Sequence, residues 1–137
     1  MEIPQLKPIF NEVTSLPEFE KDFKKLAKRF RTLLEDLKNF IEIQLKLSHK
    51  DKIDNQGVVR IPNLGVDYPV FYKARKFACR ALKGKGSNTG LRVIYAYSED
   101  KDRVDFIEIY FKGGQENEDR VRIQNYIKNL DDTSEQV

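Results

Sequence analysis

The segment from Pro69 to Tyr97, PVFYKARKFACRALKGKGSNTGLRVIYAY, limits what this chain can fold into more than any other. Its two ends have strand character. Its middle, Lys83 to Gly90, is too rich in Gly, Ser, Asn and Thr for strand or helix, so a strand must enter a loop and a second strand leave it. Lys73, Arg75, Lys76, Arg80, Lys83, Lys85 and Arg92 put seven cations here with no carboxylate among them, although the 137-residue chain nets only +3. The positive field is concentrated in this one place, and the rest of the chain is slightly acidic. A sheet carrying cations beside a Gly-rich loop offers charged side chains and backbone N–H groups to one ligand, a combination suited to phosphate. Composition alone equally allows a hairpin with solvated lysines.

The length predicts one domain over 1–137, with 1–6 and 131–137 as flexible ends. With 39% hydrophobic and 34% charged residues, the composition is that of a soluble protein. Cys79 is the only cysteine, so an internal disulfide is impossible and a reducing compartment is expected. In a strand, a lone cysteine reads as a small buried apolar residue. No apolar run approaches the ~18 residues of a membrane span, and the N-terminus lacks the order of a signal peptide. The expectation is therefore a cytoplasmic protein with no membrane partner. No internal repeat is present.

Before the cationic segment, Lys7 to Val13 has short strand character, with Ile9 and Val13 on one side. Ser15 and Glu18 have capping-box spacing, with Pro17 in the first helical turn. Phe19, Phe23, Leu26, Ala27 and Phe30 then form one apolar stripe at helical spacing. Thr32 and Glu35 repeat the capping-box spacing and predict a break near Arg31. A second helix follows through about Leu47, with Leu34, Leu37, Ile41 and Leu45 inward, making a helical hairpin. The stretch 48–69 is the least legible. Its His49, the only histidine of the chain, reads as a solvated loop residue.

Val70 to Cys79 alternates as a strand with Phe71, Lys73, Arg75, Phe77 and Cys79 on one face. Leu91, Val93, Tyr95 and Tyr97 alternate against Arg92, Ile94 and Ala96. Ser98 to Asp102 is a turn, and Arg103 to Phe111 the next strand, with Ile107 and Ile109 central. Asn117 is a candidate cap for a last helix with Ile123, Tyr126, Ile127 and Leu130 inward, and Glu118 and Asp119 suit its positive end. The fold class is α+β: an N-terminal strand and helical hairpin on a small, mostly antiparallel sheet, with a C-terminal helix and all helices on one face.

Familiar catalytic patterns are missing. Gly84, Gly86 and Gly90 match neither G-x-G-x-x-G nor G-x-x-x-x-G-K-[ST]. One His and one strand Cys make no nucleophilic dyad or triad and no metal site, so no metal and no cofactor is expected. What remains is Lys83 and Lys85 at the loop entrance, Arg92 past its exit, and Lys112, Gln115 and Glu116 after the last strand. If Arg92 opens one strand and Lys112 closes its antiparallel neighbour, both lie at one edge of the sheet.

Three segments, FEKDFKKLAKRFRTLLEDLKNFI, LKGKGSNTGLRVIYAY and IEIYFKGGQEN, resemble the RelE/ParE superfamily of toxins from type II toxin–antitoxin modules. The K-G-K-G-S-x-x-G-x-R-V-I and I-Y-x-K-x-x-Q-E-N patterns are similar to its RelE/HigB-like subgroup, over roughly residues 7–130. The resemblance implies a RelE-like fold and a ribosome-dependent mRNA endoribonuclease, held inactive by a cognate antitoxin. The partners implied are that antitoxin, the ribosome and mRNA. In such enzymes the RNA 2′-OH attacks the adjacent phosphate, which calls for a base, phosphorane-stabilising cations and an acid. Arg92 then corresponds to the charge-stabilising arginine. Lys83 and Lys85 resemble the lysines before it, one of them a candidate base if neighbouring cations lower its pKa. Lys112 corresponds to the lysine closing the last strand, and Glu116 is the alternative base. Lys73, Arg75, Lys76 and Arg80 would hold the rest of the RNA. Gly113 and Gly114 follow Lys112 where such toxins often carry a further Arg, His or Tyr. The superfamily also contains ParE-like toxins that inhibit DNA gyrase without catalysis, and a degenerate nucleic-acid-binding relative is a third reading.

Overall fold

The computed structural model describes residues 8–135, and side chains as far as residue 130. Five strands form one sheet in the order β1-β5-β4-β3-β2. They are β1 (Glu12–Ser15), β2 (Val58–Arg60), β3 (Val70–Ala74), β4 (Leu91–Ser98) and β5 (Arg103–Phe111). β1 runs parallel to β5, and every other pairing is antiparallel. Three α-helices, α1 (Pro17–Arg29), α2 (Leu33–Phe40) and α3 (Arg120–Glu135), complete the α+β architecture, and α2 runs on directly as a π-helix over Ile41–Lys50.

The alternation along β4 decides how the layers stack. Leu91, Val93, Tyr95 and Tyr97 join a core with Phe19, Phe30, Leu33, Phe40 and Leu45, so α1, α2 and the π-helix cover one face. Ile94 and Ala96 turn the other way and pack with Ile123, Tyr126 and Ile127 of α3. The expected segregation of all helices on one face is therefore corrected: β4 and β5 are apolar on both sides and need a cover on each. In β5 the pairing passes from Ile94↔Glu108 to Tyr95↔Phe106. Ile107 is thus an extra, bulged residue.

Several local expectations shift. The N-terminal strand is Glu12–Ser15 rather than 7–13; Phe10 is buried and Val13 is 42% exposed. Residue 7 and the predicted flexible end 1–6 lie outside the described residues. Neither capping box forms: Ser15 Oγ donates to Glu20, and Thr32 Oγ1 to Asp36. Pro17 does start α1, where its missing N–H costs little. Leu34 is 57% exposed and its neighbour Leu33 is buried instead. At the other end, α3 extends to Glu135.

The strand expected over Val70–Cys79 ends at Ala74 because the chain leaves the ladder there. The N–H groups of Arg75 and Lys76 both reach Gly57 O, at 2.7 and 3.3 Å. Phe77 then makes a lone parallel bridge to Asn88. This redirects Phe77 and Cys79 into the helix-hairpin core, away from the face that Phe71 shares with α3.

Candidate functional site

Backbone pairing brings the predicted segments to one end of the sheet. Arg92 pairs with Tyr110, Leu91 with Phe111, and Lys112 N donates to Gly90 O at 2.9 Å. Arg92 and Lys112 are thus at the edge where the Gly-rich loop returns. Gly90 sits at φ +87, and a Cβ there would meet the Phe111 ring at 3.3 Å. Only glycine suits both the backbone and the close approach. Within the loop, Asn88 N closes on Lys85 O at 3.0 Å, and Lys83 and Lys85 are exposed.

Side chains sort the cations into two groups. Lys73, Arg92 and Tyr110 lie on three adjacent strands and on the face covered by α3, as the registers Lys73↔Ile94 and Arg92↔Tyr110 require. Arg92 Nη1 donates to Arg75 O at 3.2 Å, which ties the start of β4 to the end of β3. Lys83 and Arg80, in contrast, line a hollow of about 250 Å³ with Ala78, Cys79, Leu82, Gly84 and Gly86. Leu82 and Cys79 belong to the helix-hairpin core, so this hollow opens on the other side of the sheet end. Lys76 Nζ donates to Asn55 O at 2.8 Å. Arg75, Lys112 and Glu116 are exposed.

Sequence reasoning missed the carboxylates on the α3 face. Glu118 lies just ahead of α3, and its Oε2 is 2.8 Å from Lys73 Nζ, with those side chains only 11% and 20% exposed. Burial alone would raise its pKa, but the Lys73 ammonium outweighs that and holds Glu118 below the ordinary value. Glu108, on β5, accepts Asp119 N at 2.8 Å and Gln115 Nε2 at 3.0 Å, pinning the strap between β5 and α3. Burial raises the Glu108 pKa even so. Burial, reinforced by Glu118 and Glu108, pushes Tyr110 up to about 12, and Arg92 pulls the other way. Glu108 was open to discovery, since a carboxylate between Ile107 and Ile109 in a central strand must be buried and satisfied.

His49 is the other correction. It is 6% exposed, its Nε2 lies 2.6 Å from Tyr95 OH, and its ring contacts Tyr72, Tyr95 and Tyr97. Burial, with Lys52 and Lys50 adding to it, lowers its pKa from 6.5 to about 4. The π-helix explains the placement, because its wider turn carries the buried stripe from Phe40 through Gln44 and Leu45 to His49. The spacing Ile41, Leu45, His49 was the signal for it in the sequence. Beside His49 is a hollow of about 330 Å³, lined also by Ser48, Lys52, Ile53, Asp54, Val58 and Tyr72. Among the described residues no group of three His, Cys, Asp or Glu side chains is placed to hold a metal, and no helix is long and apolar enough to cross a membrane.

No family model matches the chain, and no curated protein matches it. Among solved structures it is similar to the crystal structure of an archaeal RelE–RelB complex from Pyrococcus horikoshii OT3. That match has 19% identity, covers 74% of this chain and 94% of the other, and has a TM-score of 0.45.

Proposed function

We propose that this chain is a RelE-like toxin of a type II toxin–antitoxin pair that acts in the cytoplasm as a ribosome-dependent mRNA endoribonuclease. The observation that carries the reading is the placement of Lys73 and Arg92 diagonally on one face of adjacent strands, with Lys112 and the Gly-rich loop returning at the same sheet end. That placement fits the pattern K-G-K-G-S-x-x-G-x-R-V-I and its resemblance to the RelE/HigB-like subgroup. In this mechanism Arg92 stabilises the phosphorane formed by 2′-OH attack, and Lys112 steadies a neighbouring phosphate. Lys85, exposed in the loop, takes the proton, with Glu116 as the alternative base, since Lys83 lines the hollow on the other side of the sheet end. Lys73, Arg75, Lys76 and Arg80 hold flanking RNA, and a cognate antitoxin silences the site by covering it.

Primer extension on mRNA programmed into purified ribosomes tests this. Cleavage by the wild-type chain, reduced at least about a hundredfold in Arg92→Ala with ribosome binding retained, supports it. Binding without any cleavage points to the non-catalytic nucleic-acid-binding reading. Neither binding nor cleavage, with arrest of DNA synthesis on induction, moves the assignment to a ParE-like gyrase inhibitor.

A further inference from the structure

The face of the sheet that carries Arg92 is not open. Arg92 and Tyr110 pair directly on β4 and β5, Lys73 on β3 lies diagonally from Arg92 on the same face, beside Ile94, and the carboxylate of Glu118 is laid onto Lys73 at 2.8 Å. Glu118 Oε1 is also 3.7 Å from Arg120 Nη1, on the first turn of α3. A mostly buried ion pair gains little over well-packed apolar residues of the same size, so its presence here asks for a reason beyond stability. The carboxylate and a phosphodiester offer the same thing to a cation, anionic oxygens accepting charge-assisted hydrogen bonds.

We infer that Lys73, Arg92 and Tyr110 form a seat for one phosphate of an RNA backbone, and that Glu118 fills it in the free chain as an internal anion the RNA must displace. This rests on the nucleic-acid reading given above and adds the regulation of that site. The means of displacement is the strap from Lys112 to Asp119. Its residues from Lys112 to Asn117 are exposed, and Glu108 anchors it through Gln115 and the Asp119 N–H. A segment with few buried apolar contacts and a small number of polar anchors opens at low cost compared with the whole fold. Lifting it frees Lys73 and leaves Arg92 and Tyr110 facing the same opening. The chain therefore has an intrinsic brake, released when RNA competes for Lys73.

Fluorescence anisotropy with a single-stranded RNA oligonucleotide tests the seat. Glu118→Gln should bind about tenfold tighter than wild type, within the usual range of coupling between two ligands. That gain should vanish when Lys73→Met is added, since the two residues then have nothing to exchange. Hydrogen exchange on the wild-type chain supplies an independent measurement should Glu118→Gln fold poorly. Amides from Gln115 to Ile123 should lose protection when the RNA is added. Unchanged or weaker binding by a folded Glu118→Gln, or RNA binding that leaves those amides protected, overturns the brake and leaves the RNA reading standing. Failure of every variant to bind RNA, free or programmed into ribosomes, overturns both.

Discussion

On the side of β4 that meets α1, α2 and the π-helix, Leu91, Val93, Tyr95 and Tyr97 disappear among Phe19, Phe30, Phe40 and Phe77. The one buried histidine there is neutral and bonded to a tyrosine. On the side that meets α3, Ile94 and Ala96 share their face with Lys73, Arg92, Asp105, Glu108 and Glu118. Both faces are covered by apolar packing, but at the Arg92 end of the α3 face the cover passes to ion pairs and hydrogen bonds around Lys73, Glu108 and Glu118. Packing is hard to undo piecemeal, whereas a polar cover can be lifted by a competing ligand. The division of labour follows: the apolar packing on both sides holds the fold, and the polar end of the α3 side, at Lys73 and Glu118, can open.

The largest expected effect is a break on the packed side. Phe77 is fully buried and tilted against Phe40 at 5.1 Å between ring centres. Phe77→Ala should cost about 3–5 kcal/mol in denaturant unfolding, from lost transfer energy and the cavity left behind. A cost under about 1 kcal/mol would mean that the loop bridge at Asn88 collapses into the gap and that this face is not close-packed.

The second effect comes from pH and also belongs to the packed side. His49 binds its proton at about 4 in the folded chain but at the ordinary 6.5 when unfolded. Between those values the unfolded chain holds more protons, so stability is complete above 6.5 and falls as pH drops toward 4. The slope should approach about 1.4 kcal/mol per pH unit within that window, for a total of about 3 kcal/mol. His49→Gln should flatten the curve between pH 6.5 and 4 in urea melts. An unchanged slope would mean that His49 does not titrate in that window, because the depressed Asp102, Asp105 and Glu118 lose stability only at lower pH, below their unfolded pKa.

A third, smaller effect probes the α3 side. Tyr126 OH donates to Asp105, which also takes Thr14 Oγ1 at 2.5 Å and Arg103 Nε at 2.7 Å. Burial works against the Asp105 charge, but these three donors outweigh it and lower its pKa. Tyr126→Phe removes one of three, so the carboxylate stays satisfied and the cost should be about 1.5 kcal/mol by thermal unfolding. A loss as large as that of Phe77→Ala would show that α3 is held as rigidly as the hairpin, which is the result most damaging to the contrast between faces.

The same contrast explains what could be read from the residues in advance. Period-two alternation in Leu91–Tyr97 and the limits of Arg103–Phe111 were legible because both strands are central and long. The α1 stripe from Phe19 to Phe30 was legible for the same reason in helical period. The bend after Ala74 was not, because it depends on Gly57 O, far away in sequence, capturing two N–H groups. The side taken by α3 depended on Ile94 and Ala96 being apolar enough to need a cover, a point that their alternation with Tyr95 left in plain view. As for the candidate site, cations are visible in any sequence, but a carboxylate arriving from Glu118 to meet Lys73 is set by tertiary placement alone.

The smallest expected effect separates Leu33 from Leu34. Helical spacing with Leu37 and Ile41 assigns Leu34 to the core, yet α2 begins only at Leu33, after a Thr32 that bonds Asp36 and Ala81 N. That start rotates the helix so that Leu33 is fully buried and Leu34 is 57% exposed. Leu34→Lys should therefore shift stability by no more than about 0.5 kcal/mol, as for other exposed positions. Leu33→Ala at the adjacent residue should cost about 2–5 kcal/mol. If Leu34→Lys proved as costly as Leu33→Ala, α2 would be rotated from the position described, and the packed face would extend further round the helix than its contacts with the sheet now require. A near-neutral Leu34→Lys beside a costly Leu33→Ala fixes the edge of the packed side to a single residue.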